Sequence, residues 1–274
     1  MTAPSAPRLE ESDLVHPAGL ALYEKKAREA ARGVLICVHG SLDRGRSFTR
    51  MARRLTEFDV IAYDRRGYEG SQSVPAVADL DTQVADLRSI INLVADRGPV
   101  SVFGHSMGGS IALTAAVADS TGLHALVTYE SPLRWLIEED DWWTPSSSPA
   151  AEAEAFFRMM TAEGTWDRLS DTERTLRQGD GAALVADLRM SRSKIPFEAQ
   201  SLARITVPLT MGLGGATELI RFAQTADVVT RWNPHAEVVI IPDARHGAHL
   251  RSPDALAALV ERAIQRADLL RSGS

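Results

Sequence analysis

Residues 100–109 read Val-Ser-Val-Phe-Gly-His-Ser-Met-Gly-Gly, an apolar run that ends in a serine flanked by glycines. The first four of these residues predict a buried strand, and Met107–Ala118 predicts a helix of good helix formers. Gly104 and Gly108, two residues to either side of Ser106, permit a sharp turn without a Cβ clash. Such a turn lifts the Ser106 hydroxyl above the sheet. A strand before the turn and a helix after it favour a nucleophilic serine over an idle one.

Short apolar runs alternate with segments of helical period along most of the chain. The predicted strands, rich in valine and isoleucine, are Gly33–Val38, Asp59–Tyr63, Val100–Phe103, Ala125–Tyr129, Val207–Gly212 and Val238–Ile241. The predicted helices are Ser47–Thr56, Asp79–Ala95, Met107–Ala118, Thr217–Thr230 and Pro253–Leu270. Continuous hydrophobicity is typical of parallel strands that are covered on both faces. The alternation therefore predicts an α/β fold with a mostly parallel central sheet flanked by helices.

Residues 131–200 interrupt this alternation. They contain no convincing buried strand, and two amphipathic stretches at 151–161 and 170–188 predict helices. Open α/β sheets bind ligands at the carboxyl ends of their strands, so helices inserted between two strands predict a lid over that edge. We therefore predict a core formed by residues 1–130 and 201–274, with a helical lid inserted between them.

A second turn, residues 39–41 (His-Gly-Ser), follows the first predicted strand. Backbone N–H groups in a fixed loop stabilise an oxyanion without reorganising. Taken alone, this motif is better interpreted as a plain strand-ending turn, but its pairing with the glycine-flanked serine favours a functional one. The predicted donors are the amides of Ser41 and Met107, with Leu42 as the alternative to Ser41. His39 is predicted to lie beside the substrate.

The segment 242–249 (Pro-Asp-Ala-Arg-His-Gly-Ala-His) follows the last predicted strand and offers two histidines. His246 lies beside a glycine that leaves room for its ring to reach Ser106, so we predict His246 as the base. His249 is predicted to pack at the start of the terminal helix. Asp64, which opens a glycine-containing loop and precedes the serine in sequence, is predicted to order that loop rather than to serve as an acid.

These motifs, in this order, resemble the α/β-hydrolase superfamily. The likeness rests on the Gly104–Gly108 turn, the His39-Gly40 loop, the Asp64–Ser71 segment and the Arg245-His246 loop. It covers the chain from Gly33 to Leu270, apart from the lid. The resemblance implies a serine nucleophile, a histidine base and an acid that orients the histidine. It says little about the substrate.

The acid is where this sequence departs from the commoner family pattern. Many relatives carry an aspartate just after the strand that follows the lid, whereas residues 209–218 (Leu-Thr-Met-Gly-Leu-Gly-Gly-Ala-Thr-Glu) contain none. A carboxylate has to meet the second ring nitrogen of the histidine to fix its tautomer. We predict Glu130, at the end of the strand before the lid, where some superfamily members place their acid. Glu218 is the alternative, although it falls in the first turn of a predicted helix, where a carboxylate can simply complement the dipole. If Glu130 only anchored the lid hinge, a weaker Ser–His dyad would remain.

Three tryptophans of the lid, Trp135, Trp142 and Trp143, are predicted to line an apolar substrate pocket. The alternative for each of them is the lid's own core. The seven histidines are scattered, and the sequence has neither an H-E-x-x-H motif nor paired cysteines. We therefore predict no metal and no cofactor.

The composition excludes several other classes of protein. A net charge of −6 without a dense Lys/Arg patch argues against a nucleic-acid partner. No apolar stretch approaches the length of a membrane span, and the first residues lack a signal-peptide pattern, so we predict a cytoplasmic protein without a membrane partner. Cys37, the single cysteine, lies in an apolar run and is predicted to be a buried thiol. Either a monomer or a homodimer fits this sequence.

Together these features predict a serine hydrolase that acts on the carboxylic ester, lactone or thioester bond of a small, partly apolar molecule. Ser106 would form an acyl-enzyme, which water then cleaves with His246 as the base. Two other classes stay open, because the fold does not choose between them. One is a cofactor-free oxidoreductase, haloperoxidase-like or dioxygenase-like. The other is a non-catalytic member that keeps the fold as a ligand pocket.

Overall fold

The computed structural model describes residues 8–137, 143–193 and 195–273. Their strands are β1 (Glu10–Glu11), β2 (Leu22–Lys25), β3 (Val34–Val38), β4 (Asp59–Tyr63), β5 (Val100–His105), β6 (Leu123–Tyr129), β7 (Leu209–Gly214) and β8 (Glu237–Ile241). Within the described residues they form one eight-stranded sheet in the order β1-β2-β4-β3-β5-β6-β7-β8. All pairings from β4 to β8 are parallel, and β1 and β2 pair antiparallel at one edge. The predicted mostly parallel sheet is confirmed.

The helices occupy the connections between the strands. They are α1 (Thr49–Ala52), α2 (Leu80–Leu93), α3 (Met107–Ala118), α4 (Pro149–Met160), α5 (Asp171–Gly179), α6 (Gly181–Ser193), α7 (Arg221–Trp232), α8 (Ala248–Arg251) and α9 (Pro253–Ser272). Helix α2 begins where the Asp79 side chain accepts the Thr82 N–H at 2.9 Å, as a helix N-cap does. None of the helices in the described part of the chain has the length and apolarity needed to cross a bilayer.

The side chains of the central strands point alternately into two apolar cores, one on each face of the sheet. In β3, Val34, Ile36 and Val38 belong to the core that includes residues of α2, α3 and α7. Leu35 and Cys37 belong to the core on the other face, with residues of α1 and α9. Because both faces are covered, every position of β3 has to be apolar, which explains the continuous hydrophobic run. Cys37 is buried, as predicted.

The segment between β6 and β7 contains α4, α5 and α6, and we call residues 131–200 the inserted segment. Its helices pack on one another around Ala153, Leu184 and Leu188, and Leu42 of the loop after β3 joins this cluster. The helix predicted over 170–188 is in fact two helices, because the chain turns at Asp180 between α5 and α6. The division into a core and a separate lid at residues 130/131 and 200/201 stays a prediction.

Candidate active site

Ser106 lies between β5 and α3 with φ 53° and ψ −125°, a backbone conformation that is strained for a residue with a side chain. Two close approaches explain why glycines flank it. A Cβ atom on Gly108 would lie 2.1 Å from the carbonyl oxygen of Val38, and one on Gly104 would lie 2.4 Å from the Cα of Gly109. The Ser106 amide donates to the carbonyl of Tyr129 at 2.9 Å. The predicted strand–turn–helix arrangement around the serine is therefore confirmed.

The structure brings together Glu130, which follows β6, and His246, which lies in the loop after β8. His246 Nδ1 lies 2.8 Å from Oε2 of Glu130, whose side chain is 1% exposed. The other carboxylate oxygen, Oε1, accepts the amide of Gly214 at 2.8 Å. A carboxylate only accepts hydrogen bonds, so a proton of His246 is on Nδ1, and in the neutral ring the lone pair is on Nε2. Phe222 stacks on the imidazole ring, with centroids 4.9 Å apart and planes 3° apart.

Glu218, the alternative acid, lies elsewhere. It is exposed and sits in the loop before α7, which begins at Arg221. The expectation that Glu218 falls in the first turn of a helix was therefore wrong. Directly after β7, where the commoner family acid lies, the chain reads Gly215-Ala216-Thr217, and the backbone amide of Gly214 contacts Glu130.

The carbonyl oxygen of His246 accepts a hydrogen bond from His105 Nε2 at 2.8 Å. A carbonyl cannot donate, so His105 carries its proton on Nε2. Burial, followed by the neighbouring imidazoles of His249 and His246, holds the pKa of His105 well below its usual range, so the ring is neutral. Through this hydrogen bond, His105 holds the backbone of His246 in place.

His249 is buried in α8, where its Nε2 lies 3.2 Å from Oδ2 of Asp43. It lies in α8, just before the terminal helix α9, and its ring contacts Phe48 and His105. Asp43, His105 and His249 form a cluster whose ligand atoms all lie within 4.8 Å of one another, a donor set that zinc accepts. Because these residues are far apart in the chain, no sequence spacing reveals the cluster.

The loop 39–42 lies directly beside the serine. A Cβ atom on Gly40 would lie 2.9 Å from the Cβ of Ser106. Met107 is the first residue of α3, so its N–H has no acceptor within the helix. Ser41 and Met107 both line the cleft that contains Ser106. The amide of Leu42, the alternative to Ser41, donates instead to the Tyr68 hydroxyl at 3.2 Å.

His39 does not lie beside the substrate cleft, which corrects the role predicted for it. The side chain is fully buried, and its Nε2 accepts the backbone amide of Arg65 at 2.9 Å. The proton is therefore on Nδ1, which lies 2.7 Å from the carbonyl oxygen of Gly40. Burial and the nearby Arg65 charge lower the pKa of His39 to about 4. His39 is a neutral ring that ties the loops after β3 and β4 together.

Asp64 orders its own loop, as predicted. Its buried carboxylate accepts the amide of Gly45 at 2.7 Å, the amide of Gly70 at 3.0 Å and the hydroxyl of Tyr23 at 2.6 Å. With these donors in place, Asp64 links the loops that follow β3 and β4 to strand β2.

Trp135 and Trp143 are not among the residues that line the cleft at Ser106. Trp135 packs edge-on against Phe197 at 5.4 Å between centroids, and the Trp143 indole donates to Glu152 at 2.7 Å. Both belong to the packing of the inserted segment, so the predicted pocket role is not met in the structure. Trp142 lies outside the described residues.

The cleft at Ser106 has a volume of about 40 Å³. Its lining comprises Ser41, Ser106, Met107, Pro132, Arg134, Phe156, Met160, Leu188, Ser191, Arg221 and Phe222. Most of these residues come from α4, α6 and the start of α7, and no sequence motif identified them. The spacing of apolar residues over 151–161 predicted a helix, but it did not indicate which face of that helix would lie toward Ser106.

A mostly parallel sheet with a serine on a strained elbow after β5 defines an α/β-hydrolase fold. The sequence profile described as the Alpha/beta hydrolase family matches residues 35–259. The chain belongs to the α/β-hydrolase family.

The chain is similar to Lipase LipV of Mycobacterium tuberculosis, with 34% identity over 93 residues, which are 34% of this chain and 35% of that protein. It is also similar to Lipase 1 of Psychrobacter immobilis, with 22% identity over 244 residues, 77% of this chain and 70% of that protein. The match therefore spans about a third of the first relative's length, 35%, and 70% of the second's. Among solved structures, a bromoperoxidase from Bacillus anthracis has a TM-score of 0.71 at 17% identity, covering 94% of this chain and 99% of that one. That likeness shows the fold.

Proposed function

We propose that this chain is a serine hydrolase that cleaves the carboxylic ester, lactone or thioester of a small, partly apolar molecule through an acyl-enzyme on Ser106. The observation that carries the proposal is the 2.8 Å hydrogen bond between His246 Nδ1 and Glu130. With the proton held on Nδ1, Nε2 is the ring nitrogen left to act as the base for Ser106, which lies on a strained elbow. The similarity to two lipases supports ester hydrolysis in general.

In the first step, Ser106 Oγ attacks the carbonyl carbon of the substrate while His246 Nε2 takes the hydroxyl proton. A new C–O bond forms, and the electrons of the carbonyl double bond move onto its oxygen. The amides of Met107 and Ser41 stabilise this oxyanion, and the Glu130 carboxylate stabilises the imidazolium.

In the second step, the imidazolium of His246 returns its proton to the departing alcohol or thiol as the bond to the acyl carbon breaks. The acyl group is then an ester of Ser106. Water attacks this ester with His246 again as the base, and the same oxyanion donors act a second time. The carboxylic acid leaves, and Ser106 recovers its proton.

The dimensions of the cleft support a small acyl group. The volume of the cleft is only about 40 Å³. Drug-sized ligands occupy pockets of about 300 Å³ or more. Binding of an ester therefore requires displacement of flexible side chains that line the cleft, among them Phe156 and Met160 of α4. The apolar lining favours a substrate with an apolar acyl part.

The test is intact-mass analysis after treatment with a fluorophosphonate, with peptide mapping of the adduct. Stoichiometric labelling at Ser106 is expected, with none on the Ser106→Ala variant and a strong reduction on His246→Ala. Labelled protein then justifies a screen of p-nitrophenyl esters and thioesters of increasing chain length. A folded protein that is not labelled and turns over none of these substrates would refute the proposal.

The same samples discriminate the other two classes. Halide-dependent oxidation or oxygen uptake without ester turnover would favour the cofactor-free oxidoreductase. Binding of a small molecule that is unchanged by Ser106→Ala, again without turnover, would favour the non-catalytic member of the family.

A further inference from the structure

The peptide bond between Gly40 and Ser41 is held in place by hydrogen bonds to its carbonyl oxygen. The Gly40 oxygen accepts hydrogen bonds from Nη2 of Arg65 at 3.1 Å and from Nδ1 of His39 at 2.7 Å. Arg65 Nε also donates to the carbonyl of His39 at 3.1 Å. In a planar trans peptide the C=O and the following N–H point in opposite directions. Donors that fix the Gly40 oxygen therefore fix the direction of the Ser41 N–H as well.

Arg65 is in turn held by Asp187. Nη1 and Nη2 of Arg65 lie 2.9 Å and 2.6 Å from Oδ1 and Oδ2 of Asp187, a two-point contact between side chains that are fully buried. Such a fork fixes the plane of the guanidinium group. Burial alone would raise the pKa of Asp187, but the Arg65 charge and the hydrogen bonds to the carboxylate lower it below the usual range. Asp187 is therefore ionised.

Two further groups of the loop converge on the same carboxylate. Oδ2 of Asp187 accepts the hydroxyl of Ser41 at 2.8 Å and that of Tyr68 at 2.7 Å. The Tyr68 oxygen also accepts the amide of Leu42. Directly or through one intermediate, Asp187 thus holds every residue of the loop 39–42.

Asp187 comes from α6 of the inserted segment, while the loop belongs to the end of β3. The same helix lines the cleft through Leu188 and Ser191. We propose that Asp187 is a positioning residue, which sets the direction of the Ser41 oxyanion donor from the inserted segment. The inference rests on the proposed function, because it assigns a task only if an oxyanion forms at Ser106.

This role predicts a particular pattern in the kinetics. Oxyanion donors act on charge that develops in the transition state, so their misplacement lowers kcat more than it raises KM. In Asp187→Asn one carboxylate oxygen becomes an NH2 group, which cannot accept from the donors that face it. We expect kcat for p-nitrophenyl acetate to fall about 100-fold, the loss typical of one oxyanion donor. KM should stay within about threefold, because no residue that lines the cleft is substituted.

Asp180→Asn is the matched control. Asp180 is also a buried aspartate of the inserted segment that contacts the core, and its Oδ1 accepts the Glu69 amide at 3.0 Å and the Gln72 side chain at 3.2 Å. An asparagine keeps this oxygen, and none of these contacts reaches the loop 39–42. We expect kcat of Asp180→Asn to match the wild type.

A second readout separates positioning from loss of structure. A trifluoromethyl ketone forms an anionic tetrahedral adduct with an active serine, so its Ki should rise about 100-fold in Asp187→Asn, in parallel with the fall in kcat. The final stoichiometry of fluorophosphonate labelling counts the folded sites. If Asp187→Asn does not fold, the double variant Arg65→Met, Asp187→Leu replaces the buried ion pair by an apolar pair of similar size. It should show the same loss.

A wild type that turns over esters, with Asp187→Asn or the double variant within about threefold of Asp180→Asn in kcat and Ki, would overturn this inference alone. A loss of kcat without the rise in Ki would also overturn it. A wild type that neither reacts with fluorophosphonate nor turns over any ester would refute the proposed function, and this inference with it.

Discussion

Substitution of Glu130 by glutamine tests the assignment of the acid with almost no change in shape. In the protein, Oε1 accepts the Gly214 amide and Oε2 accepts His246 Nδ1–H, each at 2.8 Å. The side-chain oxygen of a glutamine stays on Gly214, because an NH2 group cannot accept from an N–H. Its NH2 group then faces Nδ1 of His246, which has to become an acceptor. The ring proton moves to Nε2, the atom that should take the proton of Ser106.

The expected loss follows from this change of tautomer. The corresponding change of aspartate to asparagine in a Ser-His-Asp triad lowers kcat by about 10⁴-fold. We expect a loss of the same order for Glu130→Gln, equivalent to about 5.4 kcal/mol of transition-state stabilisation. The measurement is kcat for p-nitrophenyl acetate, with the thermal unfolding midpoint recorded on the same samples.

Glu218→Gln is the control, because Glu218 is an exposed carboxylate on the loop where the commoner family acid lies. It should leave kcat unchanged. A folded Glu130→Gln variant within about tenfold of the wild type would refute the tautomer argument, and a large loss in Glu218→Gln would reverse the assignment of the acid.

Three further predictions concern the elbow, the buried histidines and the cleft. In Gly108→Ala the added Cβ lies against the carbonyl of Val38, the last residue of β3, and should lower the free energy of unfolding by about 3 kcal/mol in a denaturant titration. Gly179→Ala is the control, because a Cβ there meets only the side-chain nitrogen of Gln72 at 3.4 Å, and it should lower that free energy by less than about 0.5 kcal/mol. The pKa of His39 falls to about 4 through burial and the Arg65 charge, so between about pH 6.5 and about pH 4 the unfolded chain binds the proton first. The free energy of unfolding should therefore decrease as the pH falls through this range, with a contribution from His39 of at most about 1.4 kcal/mol per pH unit. His39→Gln should reduce this slope, and a pH-independent stability of the wild type over that range would contradict the argument. Phe156→Ala enlarges the cleft and should raise kcat/KM for hexanoate relative to acetate esters by about tenfold, and an unchanged ratio would show that this side chain does not limit the acyl group.

The parallel sheet was predictable because its signals are local. Both faces of β3 and β5 are covered, which leaves continuous apolar runs, and the glycines around Ser106 are required by backbone contacts with Val38 and Gly109. The pairing of Glu130 with His246 was also predicted. Sequence could not exclude Glu218 because both glutamates follow strands that end at the same sheet edge. Only the contact itself separates them.

Features that depend on contacts between distant segments were not predictable. The break between α5 and α6 falls at Asp180, whose carboxylate accepts donors of the loop after β4, so a tertiary contact ends what the periodicity presents as one helix. His39 follows a strand, which made it a candidate site residue. In the structure, the backbone amide of Arg65, in the loop after β4, donates a hydrogen bond to its Nε2. The tryptophans of the inserted segment predicted an apolar surface, but the sequence does not indicate toward which side of the segment an indole ring points.

The strained backbone of Ser106 has a practical consequence for capturing a substrate. A residue with a side chain at φ 53° and ψ −125° costs about 1–3 kcal/mol, and glycine is largely free of that cost. Ser106→Gly would remove the nucleophile, relieve the strain and open space beside the loop 39–42 in one change. Stability and activity are thus opposed at this residue, as is common where function requires strain. The resulting inert and more stable protein would be the preferred form for retaining an intact ester from a compound library, and so for identifying the natural substrate directly.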